Sequence, residues 1–513
     1  MLNRFLRPAA VAALLTSLGA AVVLPARAQT PSAGQPVATA GPLRLSLSQA
    51  VQYALKNKST LQAQRLNEEI ATARIGQIRS IGLPQINASA GVADNIKLQK
   101  SLVDFGAYSG PNGPLEGANL TPGQLAQVQA GQTVKLAPAY GEKVAAGPQA
   151  IAFGLQWQGS AGIQASQLLF DGSYLIGLKA AKVYEQLASK QSQQSEIDVV
   201  EAVQKAYYGV LVNRERFELL GRNVSRLDTI FRQTSAIYKE GFVEKLDVDR
   251  LQVQLTNLKV EQQKTQRLVD LTVALLKFQM GLDQQQPVEL TDQLDAALVE
   301  STQLPAEAGG FNYGDRVEYS VLETQRDLAN LDIRNKRAGY LPRLVATGGY
   351  GFVGSDPKAS GLFQFRGPDS RNGSTGYPNQ NWFGFANVGL QLQIPIFDGL
   401  AKHYSLQQAK LTAQTVNYGF TTLQQSIDLQ QTQSRISLEN SLDVVKNQKA
   451  NLALATDVAR VSKIKFQEGV GSNLEVITAE TDLRSAQTNY YSSLYDALIA
   501  KVDFEKAQGT LKK

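Results

Sequence analysis

Cysteine is absent from this chain of 513 residues, and histidine occurs only once, at His403. The absence of thiols excludes cysteine-based redox chemistry and an N-terminal lipid-modified cysteine, and it is compatible with an oxidising compartment. The sequence has no His/Cys cluster for a metal, no Gly-x-Ser-x-Gly motif and no phosphate-binding loop. We therefore expect a protein that is not an enzyme and that holds no cofactor or metal.

Long apolar runs are also missing, except near the N-terminus. Residues 1–28 combine Arg4 and Arg7, an apolar run and the small-residue site Ala26-Arg27-Ala28, which is the pattern of a secretory signal peptide. Removing them takes away three arginines and no acid, so the formal charge falls from +6 to about +3, and we expect no nucleic-acid partner. Residues 29–42 are predicted to be a flexible leader. No later run of apolar residues is long enough to predict a transmembrane helix.

Proline is missing from two long segments, one between Phe170 and Met280 and one from Phe397 to the C-terminus. Both segments carry a Phe-Asp-Gly triplet, then a Glu-Gly pair, then a leucine, an acid and a valine. These signals are Phe170-Asp171-Gly172, Glu240-Gly241 and Leu246-Asp247-Val248 in the first segment, and Phe397-Asp398-Gly399, Glu468-Gly469 and Leu474-Glu475-Val476 in the second. A repeat of this length indicates an internal duplication.

Within both segments the apolar residues recur every three or four positions, which predicts helices. Val200, Val203, Tyr207 and Val210 show this spacing. Polar residues fill the positions between them, so only a narrow stripe favours burial, as in a coiled coil. A helix running unbroken through the first segment would be roughly 100 Å long at about 1.5 Å per residue.

Four other segments alternate apolar residues with Gln, Asn, Ser or Gly, which predicts β-strands at 84–93, 155–169, 342–353 and 383–397. A soluble sandwich could use such strands. Their length, their uncharged polar face and the positions of Trp157 and Trp382 near strand ends favour an outer-membrane barrel instead. The segments 94–150 and 354–382 are rich in Gly, Pro, Asn and Ser, and we expect them to be extracellular loops.

Helical patterns also precede the strands and stop at the Leu-Pro pairs 83–84 and 341–342, because proline disfavours a helical residue before it. Each half therefore has the order helix, strand, loop, strand, long helix, Gly loop, helix. This order predicts a first structural repeat at 43–281, a linker at 282–314, a second repeat at 315–509 and a C-terminal tail at 510–513.

Four strands are too few to close a transmembrane barrel, which needs about eight or more. An open sheet edge in lipid would leave backbone groups without hydrogen bonds, at a cost of several kcal/mol each. The chain must therefore share a barrel with other copies of itself, and the polar inner face favours a water-filled lumen.

The duplicated order over residues 43–510 resembles the TolC-like outer-membrane factor family. The resemblance implies an all-α coiled-coil tunnel plus a transmembrane β-barrel, in a homotrimer whose 12 strands, four from each copy, lie in the outer-membrane lipid of a Gram-negative bacterium. It places the linker 282–314 in a belt around the tunnel. It also implies passive export in a tripartite efflux or type I secretion system, with a periplasmic adaptor (membrane fusion) protein and an inner-membrane pump or ABC transporter as partners.

Two glycine loops connect the paired helices at the ends furthest from the strands. They contain Gly241, Phe242 and Val243 in the first repeat, and Gly469, Val470, Gly471 and Ser472 in the second. A plain helix–helix turn explains the glycines as helix stops. Phe242 and Val243 are poor choices for an exposed turn and favour a contact surface, and the resemblance implies that these loops are the adaptor-docking tips.

The resemblance also implies a pore constriction. Glu475 matches the position at which the family has an acidic ring, although Ser472 to Glu475 also form a capping box, and the two roles are compatible. The family's second acid is Thr478 here, so we expect a weaker cation-binding ring. In some relatives, contacts between the helix pairs hold the gate closed. Asp247 is retained from those contacts in this chain, but their other members are changed, so other contacts must hold a closed gate.

A trimeric structural or adhesive surface stalk is the alternative function. Such a stalk needs neither a continuous polar duct nor two antiparallel helix hairpins per chain, which is why we prefer the export channel. The sequence does not identify the cargo, the pump or the resting state of the gate.

Overall fold

The computed structural model describes residues 42–103, 120–134, 149–294, 311–373 and 379–511. The predicted signal peptide and all but the last residue of the leader lie outside the described residues, as do parts of 94–150, of the linker 282–314 and of the tail 510–513.

The chain divides into two units. The strand unit takes its described residues from Leu83–Leu169 and Leu344–Leu392, and the helical unit takes its described residues from Thr30–Gly82, Phe170–Arg343 and Gln393–Lys513. The elements in chain order are β1 (Leu43–Leu45), α1 (Leu47–Asn57), α2 (Ser59–Ser80), β2 (Gln85–Asp94), β3 (Lys100–Val103), α3 (Pro122–Gln129), β4 (Gln149–Ala152), β5 (Trp157–Asp171), α4 (Gly172–Lys239), α5 (Lys245–Met280), β6 (Val288–Leu290), α6 (Val317–Ala338), β7 (Arg343–Asp356), α7 (Ala359–Leu362), β8 (Trp382–Gln393), α8 (Ala401–Gln467) and α9 (Asn473–Ala507).

The helical unit is organised around two long hairpins, α4 with α5 and α8 with α9. Helix α4 has 68 residues and α8 has 67, so each is roughly 100 Å long at about 1.5 Å per residue, as the proline-free repeats predict. Their buried stripes are narrow. In the first hairpin, Leu220, Leu227 and Ile230 of α4 pack against Leu251, Leu255 and Leu258 of α5.

Both repeats attach a short helix to the end of the second hairpin helix in the same way. Lys58, just before α2, donates to the carbonyl oxygen of Phe278 at 2.7 Å. Arg316, just before α6, donates to the carbonyl oxygen of Ala507 at 3.0 Å. In each case a cation meets the negative end of a helix dipole, at the C-terminus of α5 or α9.

The glycines that end α5 and α9 make this close approach possible. Gly281 and Gly509 have φ values of +71° and +72°. A Cβ atom would come within 2.9 Å of the Asn57 carbonyl oxygen at the first site and within 2.7 Å of the Asp315 carbonyl oxygen at the second. Only glycine combines the left-handed backbone with this packing.

The described part of the linker joins the N-terminal segment through a small parallel sheet of β1 and β6, with Leu45 opposite Leu290. Beneath it, the fully buried Tyr207 of α4 donates its hydroxyl to Asp292 Oδ2 at 2.9 Å. Burial, and then the Asp292 carboxylate, raise the pKa of Tyr207. The same carboxylate oxygen accepts the Leu47 N–H at 2.8 Å, so one acid ties α4 to the start of α1.

The strand unit contains a four-stranded sheet with the order β2-β5-β7-β8, in which β2 and β5 are antiparallel with Ala90 opposite Ala161. One face is apolar and includes Ile86 and Leu390, whereas Gln164 and Gln391 lie on the other. Strand β2 is exposed along its whole length, and β2 and β8 are the two edges of the sheet. Strand β3 and helix α3 lie within the segment 94–150, where the sequence predicted only a loop, and β3 pairs with β4, which starts at the end of that segment.

The two identical Phe-Asp-Gly joins have different conformations. At the first, β5 runs directly into α4, and Asp171 caps the helix by accepting the N–H groups of Ser173 and Tyr174 at 2.8 and 3.2 Å. At the second, β8 stops at Gln393, whereas the sequence predicted a strand to 397. Pro395 explains the difference because it has no N–H to donate to a strand ladder.

Among the described residues, none of the helices has both the length and the apolar content needed to cross a lipid bilayer.

Candidate functional site

The first candidate tip is the turn between α4 and α5. Helix α4 ends at Lys239, and Gly241 follows with a φ of +80°. The Gly241 N–H donates to Tyr238 O at 2.9 Å, and the Phe242 N–H donates to Ile237 O at 3.2 Å. This pair of bonds is a Schellman motif, which satisfies the last helical carbonyls and reverses the chain.

The second tip, between α8 and α9, repeats this geometry. Gly469 has a φ of +74°, its N–H donates to Phe466 O at 3.1 Å, and the Val470 N–H donates to Lys465 O at 3.0 Å. Gly471 is also required here, because a Cβ atom would lie 2.9 Å from the Lys465 Cβ atom. Two loops of different sequence thus present the same backbone.

The side chains at both tips are apolar and exposed. Phe242 is 82% exposed and Val470 is 78% exposed, whereas Val243 is half-buried. Leu246 and Leu474, at the start of α5 and α9, are also exposed. A turn that only reverses the chain gains nothing from exposed apolar groups, so these residues form a candidate contact surface, which we call the tip surface.

The three predicted constriction residues lie near the N-termini of α5 and α9, Asp247 and Glu475 in the first turn and Thr478 in the second. The Glu475 N–H donates to Ser472 Oγ at 3.2 Å, which is the N-cap half of the predicted capping box. The Glu475 and Thr478 side chains are exposed. Asp247 is half-buried beside Arg250, at 3.9 Å. The Glu475 carboxylate is therefore placed to face solvent or a pore.

The two tips are joined within one chain. The buried Asn473 of α9 donates from Nδ2 to the Asp247 carbonyl oxygen at 3.4 Å. Next to it, Val476 and Ile477 insert among the leucines of α4 and α5. The start of α9 is therefore held by the first hairpin through both a hydrogen bond and apolar packing.

A polar cluster that sequence reasoning missed lies farther from the tips and ties α9 to α4 and α5. We call it the inter-hairpin cluster. Glu480 is paired with Arg226 at 2.8 Å, and its side chain is only 11% exposed. Further contacts are Asn223 with Gln487 at 2.7 Å, Gln254 with Thr481 at 3.2 Å, and Arg484 with Glu261 at 3.7 Å. Truncating one partner of such a half-buried pair leaves the other without compensation.

Acids spaced along a helix among lysines and arginines usually form a solvated face. Glu480 departs from this pattern, because its side chain is only 11% exposed and is paired with Arg226 of another helix. No local pattern identifies this pair, because its members lie 254 residues apart in the numbering.

Two helices carry an apolar stripe opposite to the stripe that they bury. On α5 it includes Leu246, Val253, Val260, Leu271 and Phe278, and on α8 it includes Leu411, Tyr418, Leu429, Ile436, Leu454 and Val461, all exposed. The steps within each stripe are 7, 11 or 18 residues, which return to one helix face within about 20° at about 3.6 residues per turn. We call these the α5 stripe and the α8 stripe.

Comparison with known sequences identifies one family. The sequence model of the outer membrane efflux protein family matches residues 155–281 and 320–510, which is more than half of the chain. The match spans both long hairpins and their tips.

Individual proteins are similar to this chain at lower identity. The probable efflux pump outer membrane protein TtgC of Pseudomonas putida is 23% identical over 357 residues, covering 69% of this chain and 69% of TtgC. The alkaline protease secretion protein AprF of Pseudomonas aeruginosa is 23% identical over 345 residues, covering 65% of this chain and 66% of AprF. The CmeC outer membrane channel of Campylobacter jejuni has the same fold, with a TM-score of 0.62 and 16% identity over 90% of this chain and 85% of CmeC.

Proposed function

The chain belongs to the outer membrane efflux protein family, and we propose that three copies of it form one export duct that opens to the outside. It is an outer-membrane channel of a Gram-negative bacterium and not an enzyme. The observation that carries the shared barrel is the four-stranded sheet with two unpaired edges, which cannot close a barrel within one chain. The number of three copies is what the resemblance to the family implies.

Channels of this kind work with adaptor proteins and inner-membrane pumps. Among the similar proteins, one is named for an efflux pump and another for protease secretion. We propose that this chain works in an assembly of the same type, passing cargo passively while the pump supplies the energy.

The shared barrel follows from the free energy of backbone groups in lipid. Edges β2 and β8 would each leave a row of unpaired N–H and C=O groups, at several kcal/mol each in hydrocarbon. Pairing β8 of one copy with β2 of the next removes both edges at once. The contact is heterologous, so it closes into a ring only when the rotation between copies allows it.

The α5 and α8 stripes support the same ring in the helical unit. Each stripe lies opposite a buried face, so the helix already uses one side within its own hairpin. We propose that the α8 stripe of one copy packs against the α5 stripe of the next. Such packing is a coiled-coil seam between subunits, and it would make the wall of the tunnel continuous.

The tip surface is where we propose that the adaptor docks. Two tips per chain present Phe242 and Val470 on matching Schellman turns, so a trimer would offer six similar contacts. A buried aromatic or aliphatic anchor is the usual energetic centre of a protein interface. The backbone conformation of the two tips depends on the other loop residues, which are Gly241, Val243, Gly469, Gly471 and Ser472.

The inner constriction is proposed at Glu475, with Thr478 and Asp247 in the same end of the tunnel wall. Three symmetry-related carboxylates would attract cations and delay them. Opening requires the tips to separate, and in this chain the inter-hairpin cluster and the Asn473–Asp247 contact oppose that movement.

The proposed function predicts that the purified, detergent-solubilised protein is a trimer and conducts ions across a planar bilayer. Size-exclusion chromatography with light scattering gives the stoichiometry, and single-channel recording gives the conductance. A monodisperse monomer that conducts would contradict the shared barrel. A non-conducting trimer that also fails to restore export in a strain lacking its own channel would favour the surface-stalk alternative.

Replacing Glu475 by glutamine separates a gate from a helix cap. Glutamine keeps the shape and serves equally well at this helix position, so stability should not change. A constriction ring predicts a smaller cation selectivity and weaker block by multivalent cations, measured as the reversal potential in a salt gradient. Glu468→Gln removes an equal charge from the adjacent turn and is the control. Identical reversal potentials in wild type and Glu475→Gln would leave Glu475 as a cap only.

A further inference from the structure

The described part of the segment between β7 and β8 is held by internal hydrogen bonds and an ion pair. We call its described residues Asp356–Arg366 and Asn379–Trp382 the clasp. The Asp356 carboxylate accepts the Lys358 N–H at 3.0 Å and forms an ion pair with Arg366. The Arg366 Nε donates to the Asn379 carbonyl oxygen at 3.1 Å. Asp356 is buried, and the Arg366 side chain that it holds joins the two sides of the clasp.

Asn381 completes this network from the other side. Its side chain accepts the Arg366 N–H at 2.9 Å and donates to the carbonyl oxygens of Gly361 and Gln364 at 2.9 and 3.1 Å. Asn381 is buried. A buried side-chain amide whose NH2 group and oxygen are both hydrogen-bonded specifies one conformation of the surrounding backbone.

The network holds an apolar layer against one face of the sheet. Trp382 donates from Nε1 to the Leu362 carbonyl oxygen at 2.9 Å. Its indole covers Gly159 and Gly354, where a Cβ atom would lie only 2.8 and 2.5 Å from the ring. Phe365 packs on the indole with ring centroids 5.7 Å apart. Glycines on two neighbouring strands thus make room for the clasp.

The clasp also leaves apolar groups outside. Phe363 is 70% exposed, and Phe365 is 40% exposed. The hydrogen-bond network of the clasp is formed without these two phenylalanines, so the fold of the loop does not require them to be exposed. Their exposure points to a partner.

The sheet indicates what that partner is. The clasp lies on the face that carries Ala90, Ala161 and Phe352, with which it lines one open cavity. The same apolar face continues to Val388, which is 94% exposed. The clasp connects the strand ends that do not lead into helices, which is the outer end of the sheet. In the proposed barrel this face meets lipid, because the opposite face carries the glutamines.

We propose that the clasp is a membrane anchor whose Phe363 and Phe365 insert at the boundary between the headgroups and the acyl chains of the surrounding lipid. This inference rests on the proposed barrel. Lys358 within the clasp is exposed, and so are Asp369 and Arg371 in the segment that follows it, so two cations are available to lipid phosphates. The aromatic contact comes from a folded loop and extends the apolar belt beyond the strand ends.

The absence of cysteine makes a direct test possible. Phe363→Cys introduces the only thiol in the chain, and a polarity-sensitive fluorophore attached there reports its surroundings. The labelled protein is reconstituted in phosphatidylcholine vesicles, with or without bromine on the acyl chains, and iodide is added to the water. Because Phe363 is largely exposed, the substitution should not disturb the fold. Asn387→Cys, on the glutamine-bearing face, is the matched control.

We expect brominated acyl chains to quench the label at position 363 several-fold more than the label at 387, and iodide to show the reverse order. A label at 363 that iodide quenches and brominated lipid does not would place the clasp in water and overturn the proposal. A label protected from both quenchers would indicate a contact with protein, which also overturns it. Conductance of the same labelled protein shows independently whether the proposed channel is intact.

Discussion

Replacing Phe242 or Val470 with aspartate is expected to abolish export while the trimer still assembles and conducts. Both side chains project from Schellman turns and contribute little to the packing of their own hairpins. The substitutions should therefore leave the stability of the folded chain unchanged. In a docked complex the aspartate would be taken out of water without a partner, which costs several kcal/mol. A penalty of about 3 kcal/mol weakens binding roughly a hundredfold, which is enough to disconnect a transient assembly.

The measurement is efflux or secretion in a strain that lacks its own channel and carries the matching adaptor and pump. Phe242→Leu and Val470→Ile are the conservative controls and should retain export, because they keep an apolar anchor on the same backbone. Single-channel conductance of each variant confirms that the duct is intact. Normal export with both aspartates present would exclude the tip surface as the docking site.

Placing lysine at both Leu429 and Ile436 should prevent the trimer from forming. These residues belong to the α8 stripe, which the proposed ring buries against α5 of the next copy. An ammonium group buried there without a partner costs several kcal/mol, and the ring repeats the defect at every interface. The hairpin itself should remain folded, because α8 packs on α9 through Leu438 and Val445 on its opposite side.

Light scattering of the detergent complex measures this effect, and circular dichroism shows whether the helices persist. Ser437→Lys is the control for the effect of one added charge, since it places a lysine at an exposed position about 100° around the same helix from Ile436. A stable trimer in the Leu429→Lys and Ile436→Lys double variant would mean that the α8 stripe faces something other than a neighbouring copy.

Several features could be predicted from the sequence because their causes are local. The long helices follow from the absence of proline and the three-to-four spacing of apolar residues, and their ends follow from Gly241 and Gly469. The Ser472 cap is also local, since the bond that it makes spans three residues. The alternating strands fixed which residues share a face, although Pro395 shortened the last strand.

Other features were invisible because identical local signals have different surroundings. The two Phe-Asp-Gly joins share three residues, yet Asp171 caps a helix that follows a strand directly, whereas the second join passes through Gly399 and Leu400 with φ values of +66° and +67°. Leucine pays a steric cost of roughly 1–2 kcal/mol for that conformation. The end of β8 and Pro395 therefore decide which conformation the second join adopts.

The sequence by itself determined the order of elements, the duplication, the two faces of the strands and the apolar character of the tips. These properties depend on the spacing and chemistry of residues within a few helical turns. Only the tertiary structure decided that Glu480 is paired with Arg226, that Arg316 closes the end of α9, and that Trp382 holds a clasp on the sheet. Each of these depends on the burial of a polar or aromatic side chain by a distant or folded-over segment. A charged side chain stays solvated or forms a half-buried ion pair according to which segment packs against it. The residues next to it in the sequence do not specify that segment.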